Sequence, residues 1–296
     1  TRLYDATTNA VASDLSTHAN LVGSQTLTLS GTGTLSNANV ANNKTVTLNT
    51  LALGNGSNGG LAANYTLTGG THQLTINQRP LNATLARQYD GTTNAAGSDL
   101  SSFDALQGGE TLTLSGSGTA ANDNVANGIS VSSLGSLALV NGTGLASNYS
   151  LNSAAINITQ RVLNSSGSKT YDANTNALAG AITLSNLVSG EALNHSGTAT
   201  TSSANAGSYT ISNLSGISIA DGSGGAASNY TLTGGTHNFT VNPKVVSIQG
   251  NKTYDGNATI SAGNITSVVG TVGTQTLVIS GGSGTVSSAN AATYSS

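Results

Sequence analysis

The chain has 296 residues and a net charge of −3; 6% of its residues are charged, 4% are aromatic, and Cys, Met and Trp are absent. That composition excludes disulfide staples and thiol redox chemistry, and eight scattered Lys and Arg leave no nucleic-acid footprint. No apolar run approaches the roughly 18–20 residues of a membrane helix, and so few aromatics favour thin layers of Leu, Val, Ile and Ala between sheets.

The 38 Gly, with abundant Asn and Ser, suit disorder poorly, because disordered chains usually combine high net charge with few β-branched residues. Here Thr, Val and Ile recur in short alternating runs. Taken in chain order, the first element is Arg2 with Tyr4-Asp5, followed by Leu27-Thr28-Leu29-Ser30-Gly31, then Asn64-Tyr65 and the run Leu74-Thr75-Ile76. A joint is expected at Arg79/Pro80. Strands are expected over 82–89, 111–117, 129–139 and 150–160, because apolar and polar residues alternate there with period two. Gln107-Gly108-Gly109 and Asn141-Gly142-Thr143-Gly144 read as the turns between them. After a second joint at Arg161/Val162 come Lys169-Thr170-Tyr171-Asp172, Asn229-Tyr230 and the run Phe239-Thr240-Val241. A third joint at Pro243/Lys244 leads to Lys252-Thr253-Tyr254-Asp255 and Leu277-Val278-Ile279-Ser280-Gly281. No helical stripe of useful length occurs.

The repetition is the main signal. Tyr-Asp recurs at Tyr4, Tyr89, Tyr171 and Tyr254, at steps of 85, 82 and 83 residues; Asn-Tyr recurs at Tyr65, Tyr149 and Tyr230, at steps of 84 and 81. Two markers of nearly equal period divide the chain into repeats 1–79, 80–161, 162–243 and a partial 244–296. The counterpart of residues 81–87 is missing before Thr1 and no Met or signal peptide occurs, so the chain is expected to be cut from a longer array. Pro80 and Pro243 are expected where a strand passes between domains rather than inside a ladder. The fold expected is all-β: a tandem array of about 80-residue β-sandwich or β-grasp-like domains forming an elongated rod, with a parallel β-helix as the alternative.

The segments around Arg87-Gln88-Tyr89-Asp90-Gly91-Thr92-Thr93-Asn94, Lys169–Ala173 and Lys252–Gly256, with the Asn-Tyr marker and the closing run, resemble YDG-type repeats. Such repeats occur in filamentous-haemagglutinin-like exoproteins and related large bacterial adhesins. The resemblance implies secretion, an extracellular or bacterial cell-surface location, and a part in attachment or biofilm matrix. Its expected partners are neighbouring repeats of the same polypeptide, and beyond them other fibres, matrix polysaccharide or a host surface. Two copies place Ala6 and Ala173 after the Asp, which argues against a strict need for positive φ there.

The residues singled out are the structural markers Tyr4, Asp5, Tyr89, Asp90, Tyr171, Asp172, Tyr254, Asp255, Tyr65, Tyr149 and Tyr230. Each Tyr ring is read as part of a small core with its hydroxyl on backbone. Each Asp is read as accepting turn N–H groups. Arg2, Arg87, Lys169 and Lys252, two residues before the Tyr, are expected to lay their stems along its ring. His72 and His237 align with each other and with Ala154, while His18 and His195 have no counterparts, so surface or turn roles are assigned. Asp99, Asp104 and Glu110 come nearest to an acidic cluster, yet no calcium-loop pattern is present, and a calcium ion at a joint stays the open metal alternative. No catalytic, cofactor or metal residues are assigned. The expected function is a stalk or fibre segment, with a repeated glycan- or receptor-binding module as the alternative.

Overall fold

The computed structural model describes residues 1–15 and 18–295. The chain is all-β: every helical segment among the described residues is a three-residue 3₁₀ turn, such as Gly97–Asp99 and Ala146–Asn148. Two compact units are present, Thr1–Gln160 and Arg161–Ser296.

In the first unit, the second repeat shows the plan most fully. An opening strand, Arg79–Gln88, runs parallel to a closing strand, Tyr149–Thr159, from Arg79 beside Tyr149 to Gln88 beside Thr159. First and last segments of the repeat therefore lie side by side within one sheet. The order is completed by Leu100–Phe103 on one flank and by Ala126–Ser133, Ser117–Ala120 and Asn94–Ala96 on the other. A separate hairpin pairs Leu112–Ser115 with Ala138–Asn141. The first repeat has the same hairpin, Leu27–Ser30 with Ala52–Asn55, and the same parallel pair, Arg2–Leu3 with Gln73–Asn77.

In the second unit, Asn164–Thr170 opens the third repeat, parallel to the closing strand His237–Asn242, which pairs on its other edge with Gly207–Asn213. One long strand, Leu193–Thr201, does here what two strands do in the second repeat. The fourth repeat carries two strand pairs: Ser247–Gly250 with Ile265–Val269, and Thr259–Ser261 with Ser283–Thr285.

Period-two burial explains why these segments form strands. In Arg79–Gln88, Leu81, Ala83 and Leu85 are buried and alternate with exposed or half-buried neighbours; Ala154, Ile156 and Ile158 do the same across the parallel pair. The antiparallel pairs that flank these parallel strands are incompatible with the all-parallel coils of a parallel β-helix. The expected strand over 129–139 is broken by a turn into Ala126–Ser133 and Ala138–Asn141. Pro80 corrects a second expectation, since it lies inside the opening strand beside Ser150. At that point the strand has a neighbour on one side only, which suits a residue that cannot donate. Pro243 follows its closing strand directly.

The core of the first unit is continuous across its two repeats. Tyr4, Leu35, Val46, Leu74 and Ile76 of the first repeat pack in one cluster with Leu81, Leu112 and Tyr149 of the second. The second unit has a core of Ala177, Ile182, Ala199, Ile211, Ile217, Phe239 and Val241. The alanines at Ala10, Ala95 and Ala177, each the third residue of a Thr-Asn-Ala triplet, are fully buried. They mark where strands approach too closely for larger side chains.

Candidate functional site at the joint between repeats

Tyr-Asp directly follows the opening strand in the first three repeats, and the turn it starts is built alike in all four. The backbone N–H of the Tyr continues the parallel pair by donating to the closing strand: Tyr4 to Asn77 O at 2.9 Å, Tyr89 to Thr159 O at 2.9 Å, Tyr171 to Asn242 O at 2.8 Å. The Asp carboxylate then accepts the N–H two residues on, from Thr7 and Thr92 at 3.0 Å and from Asn174 and Asn257 at 3.1 Å. This is an Asx turn.

The basic residue three positions before the Asp closes the same loop. Arg2 meets Asp5 at 2.5 Å, Lys169 meets Asp172 at 2.8 Å, Lys252 meets Asp255 at 2.8 Å, and Arg87 pairs with Asp90. Each also donates to the carbonyl five residues on, as Arg2 does to Thr7 O at 2.7 Å and Lys169 to Asn174 O at 2.7 Å. Hydrogen bonds from Lys252 and Asn257 hold the Asp255 carboxyl below its ordinary range. The cationic heads thus serve the turn, and no separate docking role for them is needed.

The residue after the Asp has positive φ in all four copies: Ala6 at 61°, Gly91 at 72°, Ala173 at 66° and Gly256 at 80°. This overturns the inference drawn from the alanines. The bonded carboxylate and cation hold the turn firmly enough for Ala to sit in a region that costs a non-glycine residue about 1 kcal/mol or more. Ala173→Gly is accordingly expected to stabilise the chain by roughly 0.5–1 kcal/mol in urea unfolding, although glycine normally loosens the denatured state.

The Tyr side chain leaves its own repeat. Tyr4, 3% exposed, donates its hydroxyl to Glu110 Oε1 at 2.6 Å, 106 residues away in the next repeat. Glu110 Oε2 accepts a second hydroxyl, that of Tyr149, at 2.6 Å. The Tyr4 and Tyr149 rings meet edge to face, with centroids 5.3 Å apart at 77°. Tyr149 Oη in turn accepts the Gln107 N–H at 3.0 Å. Glu110 is positioned by the glycine turn before it, its N–H donating to Gln107 O at 2.9 Å. The expected bond from the Tyr4 hydroxyl to backbone is replaced by a carboxylate shared between two repeats.

The receiving half of this arrangement recurs. In the first repeat Tyr65 donates to Gln25 Oε1 at 2.5 Å and accepts the Val22 N–H at 3.1 Å. In the third, Tyr230 donates to Glu191 Oε2 at 2.6 Å and accepts the Val188 N–H at 3.0 Å. In the second unit Gln275 of the fourth repeat donates from Nε2 to Tyr171 Oη of the third at 2.6 Å. Each unit therefore joins its two repeats by a Tyr of the earlier one and a Glu or Gln of the later one.

The Asn of Asn-Tyr adds to the joint in the first unit. Asn148, 1% exposed, accepts the Val40 N–H at 3.0 Å and donates to Asn39 Oδ1 at 3.1 Å. Arg79 Nε donates to Tyr4 O at 2.7 Å. With the continuous core, these bonds make the joint a packed interface.

Burial first, then the bond to a carboxylate, raises the phenol of Tyr149 to about 12, and burial with Glu191 does the same for Tyr230. The Tyr4 phenol is pushed higher still by burial and Glu110. An unfolded phenol ionises near 10. A folded-state value above the unfolded one gives stability that is complete below pH 10 and lost as pH rises through the folded value. Melting temperature is therefore expected to hold up to about pH 10 and to fall between pH 10 and 12, with tyrosinate absorbance at 295 nm rising in step with unfolding.

The other singled-out residues do not assemble into a chemical site. His72 and His237 bond Leu67 O at 2.7 Å and Leu232 O at 2.8 Å through Nε2. His237 is buried, its Nδ1 2.9 Å from Ser165 Oγ, so it belongs to the closing strand's packing rather than the surface. His195 faces Ala179 O and Ile182 O. Asp104 binds the Asn82 N–H at 2.9 Å, and that backbone bond holds its carboxyl low; Glu110 is in the joint, and Asp99 faces the Arg87 charge. Among the described residues no three His, Cys, Asp or Glu side chains gather in a way that could hold a metal ion. No helix of the described residues is long and apolar enough to cross a membrane.

The sequence profile of the YDG domain matches residues 1–75, 72–158 and 157–238, three consecutive segments. No curated protein and no solved structure matches the chain.

Proposed function

Since the chain belongs to the YDG domain family over most of its length, we propose that it is a structural spacer: a stalk or fibre segment of a secreted bacterial surface adhesin of the filamentous-haemagglutinin-like kind. In this reading it is extracellular, it catalyses nothing, and its partners are the repeats before and after it. The observation that carries the reading is the joint of the first unit, where Tyr4, Glu110 and Tyr149 lock one repeat onto the next over a continuous core. A spacer transmits position and load. Buried, hydrogen-bonded joints between successive modules make neighbours cooperate and limit bending, as nearest-neighbour coupling does in repeat proteins. A surface poor in charge and aromatic residues offers few of the anchors that dominate specific interfaces.

The test is binding by the chain itself. A glycan array and a panel of immobilised matrix proteins are expected to give no saturable, competable signal. Specific saturable binding would replace the spacer reading with that of a recognition module.

A further inference from the structure

The second and third repeats close in the same way, by laying the closing strand parallel to the opening strand. Their main chains do not tell them apart. Tyr89 donates its N–H to Thr159 O at 2.9 Å, and Tyr171 donates to Asn242 O at 2.8 Å. The last buried aliphatic residue of each closing strand is equivalent too. Ile158 lies beside Arg87 and Val241 beside Lys169, with Ile158 and Val241 each 1% exposed. By backbone alone, either closing strand suits either opening strand. Tandem copies meet at high effective concentration, and exchange of like strands is a characteristic misassembly of repeat proteins. Discrimination has to come from side chains.

Two positions of the parallel pair differ between the repeats, and at each the two partners differ together. Four residues before the Tyr, Leu85 lies beside Ile156, whereas Gly167 lies beside Phe239. Leu85, Ile156 and Phe239 are at most 1% exposed, so a large residue on the opening strand goes with an aliphatic partner and glycine with an aromatic ring. A side chain at Gly167 would meet the Phe239 ring at 2.8 Å and the Ala181 carbonyl at 2.2 Å. The strand on the other flank agrees. Ile182–Ser185 runs in unbroken register past Gly167, whereas Leu100–Phe103 shifts register beside Leu85. Six residues before the Tyr, Ala83 lies beside Ala154, whereas Ser165 lies beside His237 with its Oγ 2.9 Å from Nδ1. All four are buried.

Wrong pairings are penalised at both positions. The third closing strand on the second opening strand sets Phe239 against Leu85, which overpacks the site. It also sets His237 against Ala83, which offers the imidazole no hydroxyl. The second closing strand on the third opening strand leaves Ile156 in the space that a ring fills. There the Ser165 hydroxyl is buried opposite Ala154 without its partner.

We propose that these side chains form a pairing key that confines each closing strand to its own repeat. Ala83 and Leu85 accept Ala154 and Ile156; Ser165 and Gly167 accept His237 and Phe239. The key acts against strand exchange within one chain and between chains, and so keeps a tandem array of like modules in register. Main-chain bonds common to the copies supply affinity, and penalised alternatives supply selectivity.

The chain has no Cys, so an introduced disulfide reports pairing cleanly. Thr84→Cys with Asn238→Cys marks the second opening strand and the third closing strand, each one residue from the key. The whole chain is refolded from urea under oxidising conditions, and the 84–238 disulfide is measured by peptide mass mapping. Little of it is expected. Adding Ala83→Ser, Leu85→Gly, Ala154→His and Ile156→Phe gives the second repeat the key of the third. That exchange is expected to raise the 84–238 disulfide about tenfold, which corresponds to about 1.4 kcal/mol of lost discrimination. Stability supplies a second reading, in chains without the cysteines. Ala154→His with Ile156→Phe mismatches the key and is expected to raise the urea unfolding constant of the Thr1–Gln160 unit about tenfold or more. Adding Ala83→Ser with Leu85→Gly is expected to recover part of that loss. An 84–238 disulfide unchanged by the key exchange overturns the proposal. So does a mismatched variant as stable as the parent chain, or a four-site variant no more stable than the mismatched one.

Discussion

Glu110→Ala is expected to destabilise the Thr1–Gln160 unit by about 3 kcal/mol in urea unfolding of the whole chain. One carboxylate accepts two phenol hydroxyls at 2.6 Å, from residues 4 and 149. Removing it strands both hydroxyls in a core where Tyr4 and Tyr149 are 3% and 2% exposed. Each buried donor left without an acceptor costs about 1–3 kcal/mol. Glu110→Gln should cost only about 1 kcal/mol, since an amide keeps the shape and one acceptor oxygen but loses the charge-assisted bonds. The first repeat already places Gln25 against Tyr65 in this way. A loss confined below 0.5 kcal/mol for the alanine variant would mean that the hydroxyls find water instead.

Phe239→Ala is expected to cost the Arg161–Ser296 unit about 4 kcal/mol, the usual range for emptying a buried aromatic site. Its ring is 1% exposed and covers Gly167, which carries no side chain that could move into the space. Phe239→Leu should cost under about 2 kcal/mol, because much of the volume is kept. Thermal melts followed by circular dichroism separate the two variants. Ile156→Ala, facing Leu85 in the first unit, gives the matching control, because Leu85 can partly refill the cavity.

Much of this was legible in the sequence because period-two burial and turn chemistry are local. The Tyr-Asp and Asn-Tyr markers, the alternating runs at Leu74–Ile76 and Phe239–Val241, and the role of each Asp as a turn acceptor follow from neighbours in the chain. The joint does not. A bond between Tyr4 and Glu110 spans 106 residues, and periodic spacing is equally compatible with a Tyr that stays in its own repeat. The signal that would have found the partner is a third periodic marker, a Gln or Glu one residue before a Thr-Leu or Ala-Leu pair and just after a glycine turn: Gln25, Glu110, Glu191 and Gln275. The acidic residues among these read as dispersed charges because the two glutamines hid the pattern. Positive φ at Ala6 and Ala173 was hidden for a related reason. Residue type reports the intrinsic cost of a conformation, whereas a carboxylate and a cation bonded into the same loop decide whether that cost is met.

The joint also sets how the repeats respond to one another. Tyr4 contributes its backbone to the closing strand of its own repeat and its hydroxyl to the next, so loosening either repeat loosens the anchor of the other. That coupling is what a spacer needs, and it is measurable as a pairwise energy.

A double-mutant cycle of Tyr4→Phe with Glu110→Gln, read by urea unfolding of the full chain, tests it most directly. The shared carboxylate predicts a coupling of about 1–2 kcal/mol between residues in different repeats. Strictly additive effects, within about 0.3 kcal/mol, would show that Tyr4 and Glu110 do not hold the two repeats together.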